Sequence, residues 1–154
     1  MSAVLETSEK IRPMNEADLD MVMAIEPHAY EYSWTKGIFR DCLRVGYSSW
    51  VMENERGGID GYGVMSLGVG EAHILNLTVA PAMQGQGLGK MLLNHFIERA
   101  HAHHLDTLLL EVRPSNKVAV ALYDKAGFNE VGVRKNYYPS KYGREDAIIL
   151  ALSL

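Results

Sequence analysis

Cysteine is almost absent from the sequence: Cys42 stands alone, so no disulfide can close within the chain. A reducing compartment, and with it a cytoplasmic location, is the simpler expectation. The lone thiol falls in the helix-like stretch Ile38-Phe39-Arg40-Asp41-Cys42-Leu43 and reads as packed and inert. Long apolar runs are missing as well. Nothing approaches the about 18 apolar residues of a membrane-spanning helix, and residues 1–10 lack the apolar segment of a secretory leader. Positive charge is not in excess. The 15 basic and 19 acidic residues give a net charge of −4, the wrong sign for a nucleic-acid surface and a modest match to a basic polypeptide. A metal-ligand set is lacking too: His101, His103 and His104 cluster, but no cysteine or acidic ligand is spaced with them. They suit the C-terminal end of a helix dipole, and no metal is expected. Trp34 and Trp50 read as packing residues.

Repeats, low-complexity segments and linkers are absent. A length of 154 residues, 47% hydrophobic, is enough for one core, so one domain over residues 1–154 is expected. After a mobile start, residues 10–14 read as a strand. Asn15 or Asp18 then caps a helix with Leu19, Val22, Ile25 and Tyr30 at helical spacing. Ser33 or Thr35 caps a second helix that Gly46 ends. Residues 47–53, 62–69 and 73–79 form three strands of an antiparallel meander, with Gly57-Gly58 and Asp60-Gly61 as turn chemistry.

The pattern then changes. Leu88, Met91, Leu92, His95, Phe96 and Arg99 mark one helix face, and residues 107–112 a compact apolar strand. Ser115 or Asn116 caps a helix that stops at Gly127. Strands at residues 128–137 and 147–152 close the chain around a loop containing Pro139 and Gly143. The fold class is therefore α/β (α+β): a central mixed sheet with helices on both faces.

The segment Gln84-Gly85-Gln86-Gly87-Leu88-Gly89-Lys90 lies between a strand and an amphipathic helix. Its glycines let backbone N–H groups approach a bulky anion; the helix start and Lys90 add positive charge. A purely structural tight turn is the alternative. A Walker loop fits poorly because Lys90 is followed by Met91. A dinucleotide fold fits poorly too, because the glycine spacing is too short and Pro81 separates strand from turn.

Glu111 interrupts the run Leu108-Leu109-Leu110, and on a strand it shares a face with Leu109 and Arg113. One reading is a half-solvated face with Glu111 paired to Arg113. The other is a carboxylate in a partly apolar cleft, where desolvation raises its pKa toward that of a useful base. Tyr123 follows Asn116 by about two helical turns, and without other information reads as packing.

Gln84-x-x-Gly87-x-Gly89 after Leu75-Asn76-Leu77-Thr78-Val79 resembles the acetyl-CoA pyrophosphate loop of the GNAT superfamily of N-acetyltransferases. Leu110-Glu111-Val112-Arg113, Ser115-Asn116, Ala121-Leu122-Tyr123, Gly127-Phe128-Asn129-Glu130, Asn136-Tyr137-Tyr138-Pro139 and Gly143-Arg144-Glu145-Asp146-Ala147 resemble its RimI-like branch, which acetylates the N-terminal alanine of a small-subunit ribosomal protein. The likeness is close over residues 74–152 and loose over residues 1–70.

The resemblance implies acetyl-CoA as donor, held by residues 84–90 and touched by Asn116. It implies oxyanion donors from the backbone of Leu77, Thr78 and Val79, with Glu111 as general base and Tyr123 as proton donor to the leaving thiolate. It further implies a peptide entrance beside Tyr137-Tyr138-Pro139, a segment that otherwise reads as an ordinary strand end. The implied acceptor is a polypeptide N-terminus, with neither nucleic acid nor membrane as partner. A small-amine acetyltransferase and a non-catalytic acyl-CoA sensor are the competing readings. The first is disfavoured by the substrate-side likeness, the second by the presence of both Glu111 and Tyr123.

Overall fold

The computed structural model describes residues 8–154; residues 1–7, where the mobile start was expected, lie outside the described residues. Strand β1, Lys10–Pro13, is tied down by Arg12, which reaches Asp18 at 2.8 Å and Glu53 at 2.6 Å. Asn15 opens a 3₁₀ turn, Glu16–Asp18, and Asp18 begins helix α1, Leu19–Ala29. Leu19, Val22 and Ile25 are buried on its inner face, as their spacing predicts. Tyr30 departs from that expectation. It leaves the helix in an extended conformation, its hydroxyl donating to the Leu77 carbonyl at 3.0 Å. Thr35, rather than Ser33, caps helix α2, Lys36–Arg44, accepting from the Ile38 N–H. Cys42 is buried there, and burial pushes its thiol up.

Strands β2 (Ser48–Glu53), β3 (Ile59–Leu67) and β4 (Glu71–Val79) form the expected meander. Asp60 and Gly61, expected as turn residues, lie inside β3. The turn is made instead by Asn54, whose side-chain oxygen accepts from Arg56 N–H at 2.9 Å and Gly58 N–H at 3.0 Å. Helix α3, Leu88–Ala102, follows, then strand β5, Thr107–Val112, and helix α4, Lys117–Lys125, capped by Asn116 rather than Ser115.

The chain ends in strands β6, Asn129–Ser140, and β7, Gly143–Ser153. The expected loop around Pro139 and Gly143 is therefore mostly strand, with Lys141 and Tyr142 left to turn. Proline is tolerated there because β6 is an edge strand and needs no donor on its open side.

The strand order is β1-β2-β3-β4-β5-β7-β6, with β4 and β5 the parallel pair. Helices cover both faces. Leu88, Leu92, Leu93 and Phe96 of α3 pack with Leu108, Leu110 and Val112 of β5. Leu19, Val22 and Phe39 pack on Val51, Tyr62 and Val64 from the other side. The approach of α3 is close: a Cβ on Gly63 would sit 2.5 Å from the Phe96 ring. Among the described residues no helix is long and apolar enough to cross a membrane.

Two irregularities position the site. Val64 pairs with Asn76 but Met65 with Ile74, so Leu75 is an extra residue in β4. Ile74 packs on the α3 side and Leu75 on the α1 side, while Asn76 donates to Glu26 of α1. The bulge thus re-aims every residue after it. Second, β4 and β5 pair only from Glu71↔Thr107 to Ile74↔Leu110. Beyond the bulge they part, and residues 75–79 face a wedge-shaped gap.

Candidate active site

Two cavities meet in that gap. One is lined by Leu77, Thr78 and Val79, by Gln84, Gly85, Gly87, Leu88, Gly89 and Lys90, and by Asn116 and Tyr123. The glycine turn takes this form because Gly85 and Gly87 have φ of 82° and 83°, a region that L side chains avoid. A Cβ at either would meet nothing within 4 Å, so open space lies over the turn. Thr35 and Asn116 cap α2 and α4, but Gly87 leads into α3 with no side-chain cap. The first N–H groups of a 15-residue helix therefore face an open cavity, beside the cation of Lys90. That is the donor set a pyrophosphate needs. Gln84 supports the turn, its amide donating to the Val79 carbonyl at 3.2 Å. Gln86, expected in the set, is exposed and outside the lining.

The second cavity is lined by Glu26, Tyr30, Tyr32 and Trp34, by Glu111 and Arg113, and by Tyr138. Tyr30, Leu77, Asn116, Ala119 and Tyr123 line both cavities. Tyr123 therefore stands at their junction. Its ring rests edge-on against Phe128 at 5.7 Å, and burial, with the Tyr30 and Tyr138 phenols nearby, pushes its hydroxyl well above the usual phenol range. The phenol stays protonated at any working pH.

Glu111 does not pair with Arg113, as the half-solvated reading supposed. Arg113 turns away to the Pro139 carbonyl at 2.8 Å and Glu145 at 3.2 Å. The Glu111 carboxylate, only 10% exposed, has the Arg134 Nε at 3.3 Å and the His73 Nε2 at 3.7 Å. The reason lies in β6. Arg134 pairs with Ala147 but Tyr138 with Glu145, so three residues bulge out opposite Asp146. Asn136 takes φ 53° within the bulge, its N–H held by Asp146 at 2.9 Å, while Arg144 donates to the Asn136 and Tyr137 carbonyls. The bulge sets Tyr137 against the Glu111 carboxylate, and burial beside that charge pushes the Tyr137 phenol up. Tyr138 lies over the Arg113 guanidinium at 4.3 Å and walls the second cavity. Tyr137-Tyr138-Pro139 thus lies within β6, and of the three Tyr138 lines the cavity.

Periodicity did not single out Glu26, Tyr32 or Trp34 for the site. Glu26 is 1% exposed, and its carboxylate accepts from the Tyr62 hydroxyl at 2.7 Å, the Trp34 N–H at 2.8 Å and the Asn76 amide at 3.3 Å. Asn76 accepts in turn from Thr78, whose hydroxyl meets that of Tyr30 at 2.9 Å. This chain of hydrogen bonds ties the segment after α1 to the displaced stretch of β4. Trp34 packs on Phe39 as expected but also faces the cavity; Trp50 meets the His95 ring edge-on, away from it.

Residues 12–128 match the model of the acetyltransferase (GNAT) family. The chain is 38% identical over 144 residues to the [ribosomal protein bS18]-alanine N-acetyltransferase of Escherichia coli K12, covering 94% of this chain and 97% of the relative. It is 39% identical over 145 residues to the enzyme of that name from Haemophilus ducreyi, covering 94% and 99%. The crystal structure of the ribosomal-protein-S18-alanine N-acetyltransferase from E. coli superposes with a TM-score of 0.88, at 37% identity and with 94% and 93% covered.

Proposed function

The chain belongs to the acetyltransferase (GNAT) family, and on that premise we propose that it moves acetyl from acetyl-CoA to the N-terminal α-amine of a small-subunit ribosomal protein beginning with alanine. The observation that carries this is the junction of the two cavities at Tyr123. One cavity offers a turn suited to pyrophosphate, the other a carboxylate, and the buried Tyr123 phenol borders both, with Tyr30 beside it. Relatives at 36–39% identity that act on ribosomal protein bS18 support the acceptor. The reaction then belongs in the cytoplasm, with neither nucleic acid nor membrane as partner. The net charge of −4 favours encounter with a basic protein, an effect that salt weakens.

In this reading the turn at residues 84–90 holds the pyrophosphate and Asn116 touches CoA. The thioester carbonyl lies against the backbone of residues 77–79, on the edge that does not pair with β5. An α-amine titrates near 8, roughly, so part of the acceptor arrives as ammonium. Glu111 takes that proton directly or through a water. The amine attacks the carbonyl carbon, backbone N–H groups hold the oxyanion, and the C–S bond breaks as the amide forms. Tyr123 supplies the thiolate with its proton. The thiolate is desolvated in the same cleft, so its affinity for a proton rises along with that of the phenol. No covalent enzyme intermediate is needed, and Cys42 has no task.

Tyr123→Phe keeps the ring against Phe128 and deletes only the hydroxyl. Turnover should fall roughly a hundredfold, the lower end of general-acid effects, while acetyl-CoA affinity by calorimetry stays near wild type. Collapsed affinity with normal turnover at saturation would make Tyr123 a binding residue instead.

The acceptor is tested with peptides differing only at the first residue. Alanine-first peptides should be acetylated well and bulky-first ones poorly, because the amine must pass between thioester and Glu111. Mass spectrometry should place the acetyl group on the α-amine rather than on lysine. Acetylation of spermidine or an aminoglycoside, with none on any alanine-first peptide, would replace this reading with a small-amine one.

A further inference from the structure

Glu111 must lose, once per turnover, the proton it takes from the acceptor, and its surroundings restrict where that proton can go. The ionisable groups set beside it among the described residues include Arg134, the Tyr137 and Tyr138 phenols and His73. A guanidinium cannot accept a proton. Each phenol already holds one, and burial beside the Glu111 charge pushes both further from release. Among these groups His73 alone carries a vacant nitrogen lone pair in its neutral form, and an imidazole can accept a proton on one nitrogen and release it from the other.

The geometry suits a transfer outward. His73 stands on β4 opposite Leu109 of β5, in the last paired stretch before the strands part, so its ring shares a face with Glu111. Its Nε2 lies 3.7 Å from the Glu111 Oε1, within ion-pair reach. The His73 side chain is 33% exposed against 10% for Glu111. The ring therefore bridges a nearly dry carboxylate and bulk water. The charged groups around it are Glu111, Glu71 two residues back on the same strand, and Arg134 beyond Glu111; its paired neighbours, Ser66 and Leu109, carry no charge.

We propose that His73 relays to solvent the proton that Glu111 removes from the acceptor ammonium. The inference rests on the acetyl-transfer reading given above. The steps balance. Ammonium and carboxylate become amine and carboxylic acid; the acid and neutral His73 become carboxylate and imidazolium; the imidazolium passes its proton to water or buffer. The second amine proton leaves the nitrogen as the amide forms and passes to the Tyr123 phenolate left when the phenol protonates the thiolate, so both Tyr123 and Glu111 are restored. Overall, acetyl-CoA and ammonium give amide, CoA thiol and one proton in solution. His73 touches none of the reacting atoms and acts only through Glu111.

The test is turnover of an alanine-first peptide by His73→Gln and His73→Ala in weak buffer, with and without added imidazole. Both variants should turn over about tenfold or more slowly near neutral pH, with peptide KM and acetyl-CoA affinity unchanged. Imidazole should restore the rate in a saturable way, most fully in His73→Ala, where space has opened, and should not accelerate wild type. Normal turnover in both variants, or a deficit that imidazole leaves untouched, would overturn the relay while acetyl transfer stands. A wild-type protein inert on every peptide would overturn the acetyl-transfer reading and the relay with it.

Discussion

Glu111→Gln is expected to lower turnover on an alanine-first peptide by about 10²–10⁴-fold, the range for loss of a general base. The substitution keeps the shape of the side chain and an oxygen for the Arg134 guanidinium at 3.3 Å, so the packing between β5 and β6 should survive. What it removes is the charge and the capacity to accept a proton. The deficit should depend on pH with a definite sign. Below about 8, where an α-amine is mostly ammonium, only wild type can deprotonate the bound acceptor. The variant depends on the free-amine fraction, which falls roughly tenfold per pH unit below that value. The wild-type to variant ratio of kcat/KM should therefore be largest near pH 6 and shrink toward pH 9. A ratio that is large but flat across that span would mean Glu111 shapes the cleft or holds Arg134 in place. Near-normal turnover at every pH would exclude the residue from the chemistry.

The parts of this site visible in the sequence are those built from neighbours in the chain. Glu111 stands out because alternation along one strand leaves it opposite Leu110 and Val112, and both of those are buried on the α3 side. The glycine turn stands out because conformation and helix start coincide over a few residues. The order of elements follows from the change of period between meander and helix, and matches the observed order.

What the sequence conceals is contact made across the sheet. Glu26 sits beside Ile25 on a helix face, and nothing local distinguishes it from a solvated acid; its donors arrive from Tyr62 and Asn76, on β3 and β4. The extra residue Leu75 leaves no trace in Ile74-Leu75-Asn76-Leu77, because a run with apolar residues on both faces has no period to break. Arg113 looked like the partner of Glu111 by proximity. The partner is Arg134, and seeing that requires knowing that β7 lies between β5 and β6 and that β6 bulges opposite Asp146. Within Gly143-Arg144-Glu145-Asp146, three side chains build that wall: Arg144 and Asp146 fasten the bulge, and Glu145 holds Arg113 and Ser115. These residues hold the site's shape and touch neither the donor turn nor Glu111.

Gly87→Val should raise the dissociation constant for acetyl-CoA by about 10²–10³-fold, equivalent to the loss of one or two charge-assisted hydrogen bonds at about 1.5–3 kcal/mol each. Crowding against the rest of the protein plays no part, since a Cβ at residue 87 meets nothing within 4 Å. The first cause is φ of 83°, which a β-branched side chain resists by about 1–2 kcal/mol. The chain relieves that strain by rotating the peptide before Leu88, and the N–H groups at the start of α3 then no longer converge on one point. The valine methyl groups also enter the open space over the turn that the pyrophosphate would fill. The helix itself should hold, because Leu88, Leu92, Leu93 and Phe96 remain buried behind it and Gly63 still admits the Phe96 ring. Calorimetry gives the affinity, and circular dichroism with thermal unfolding shows whether the fold is kept. Gly87→Ala separates the two causes: it carries most of the backbone penalty but far less bulk, so its affinity should fall between wild type and valine. A folded valine variant that binds acetyl-CoA as wild type does would remove the turn from the donor site. Lys90 and the start of α3 would then need another role.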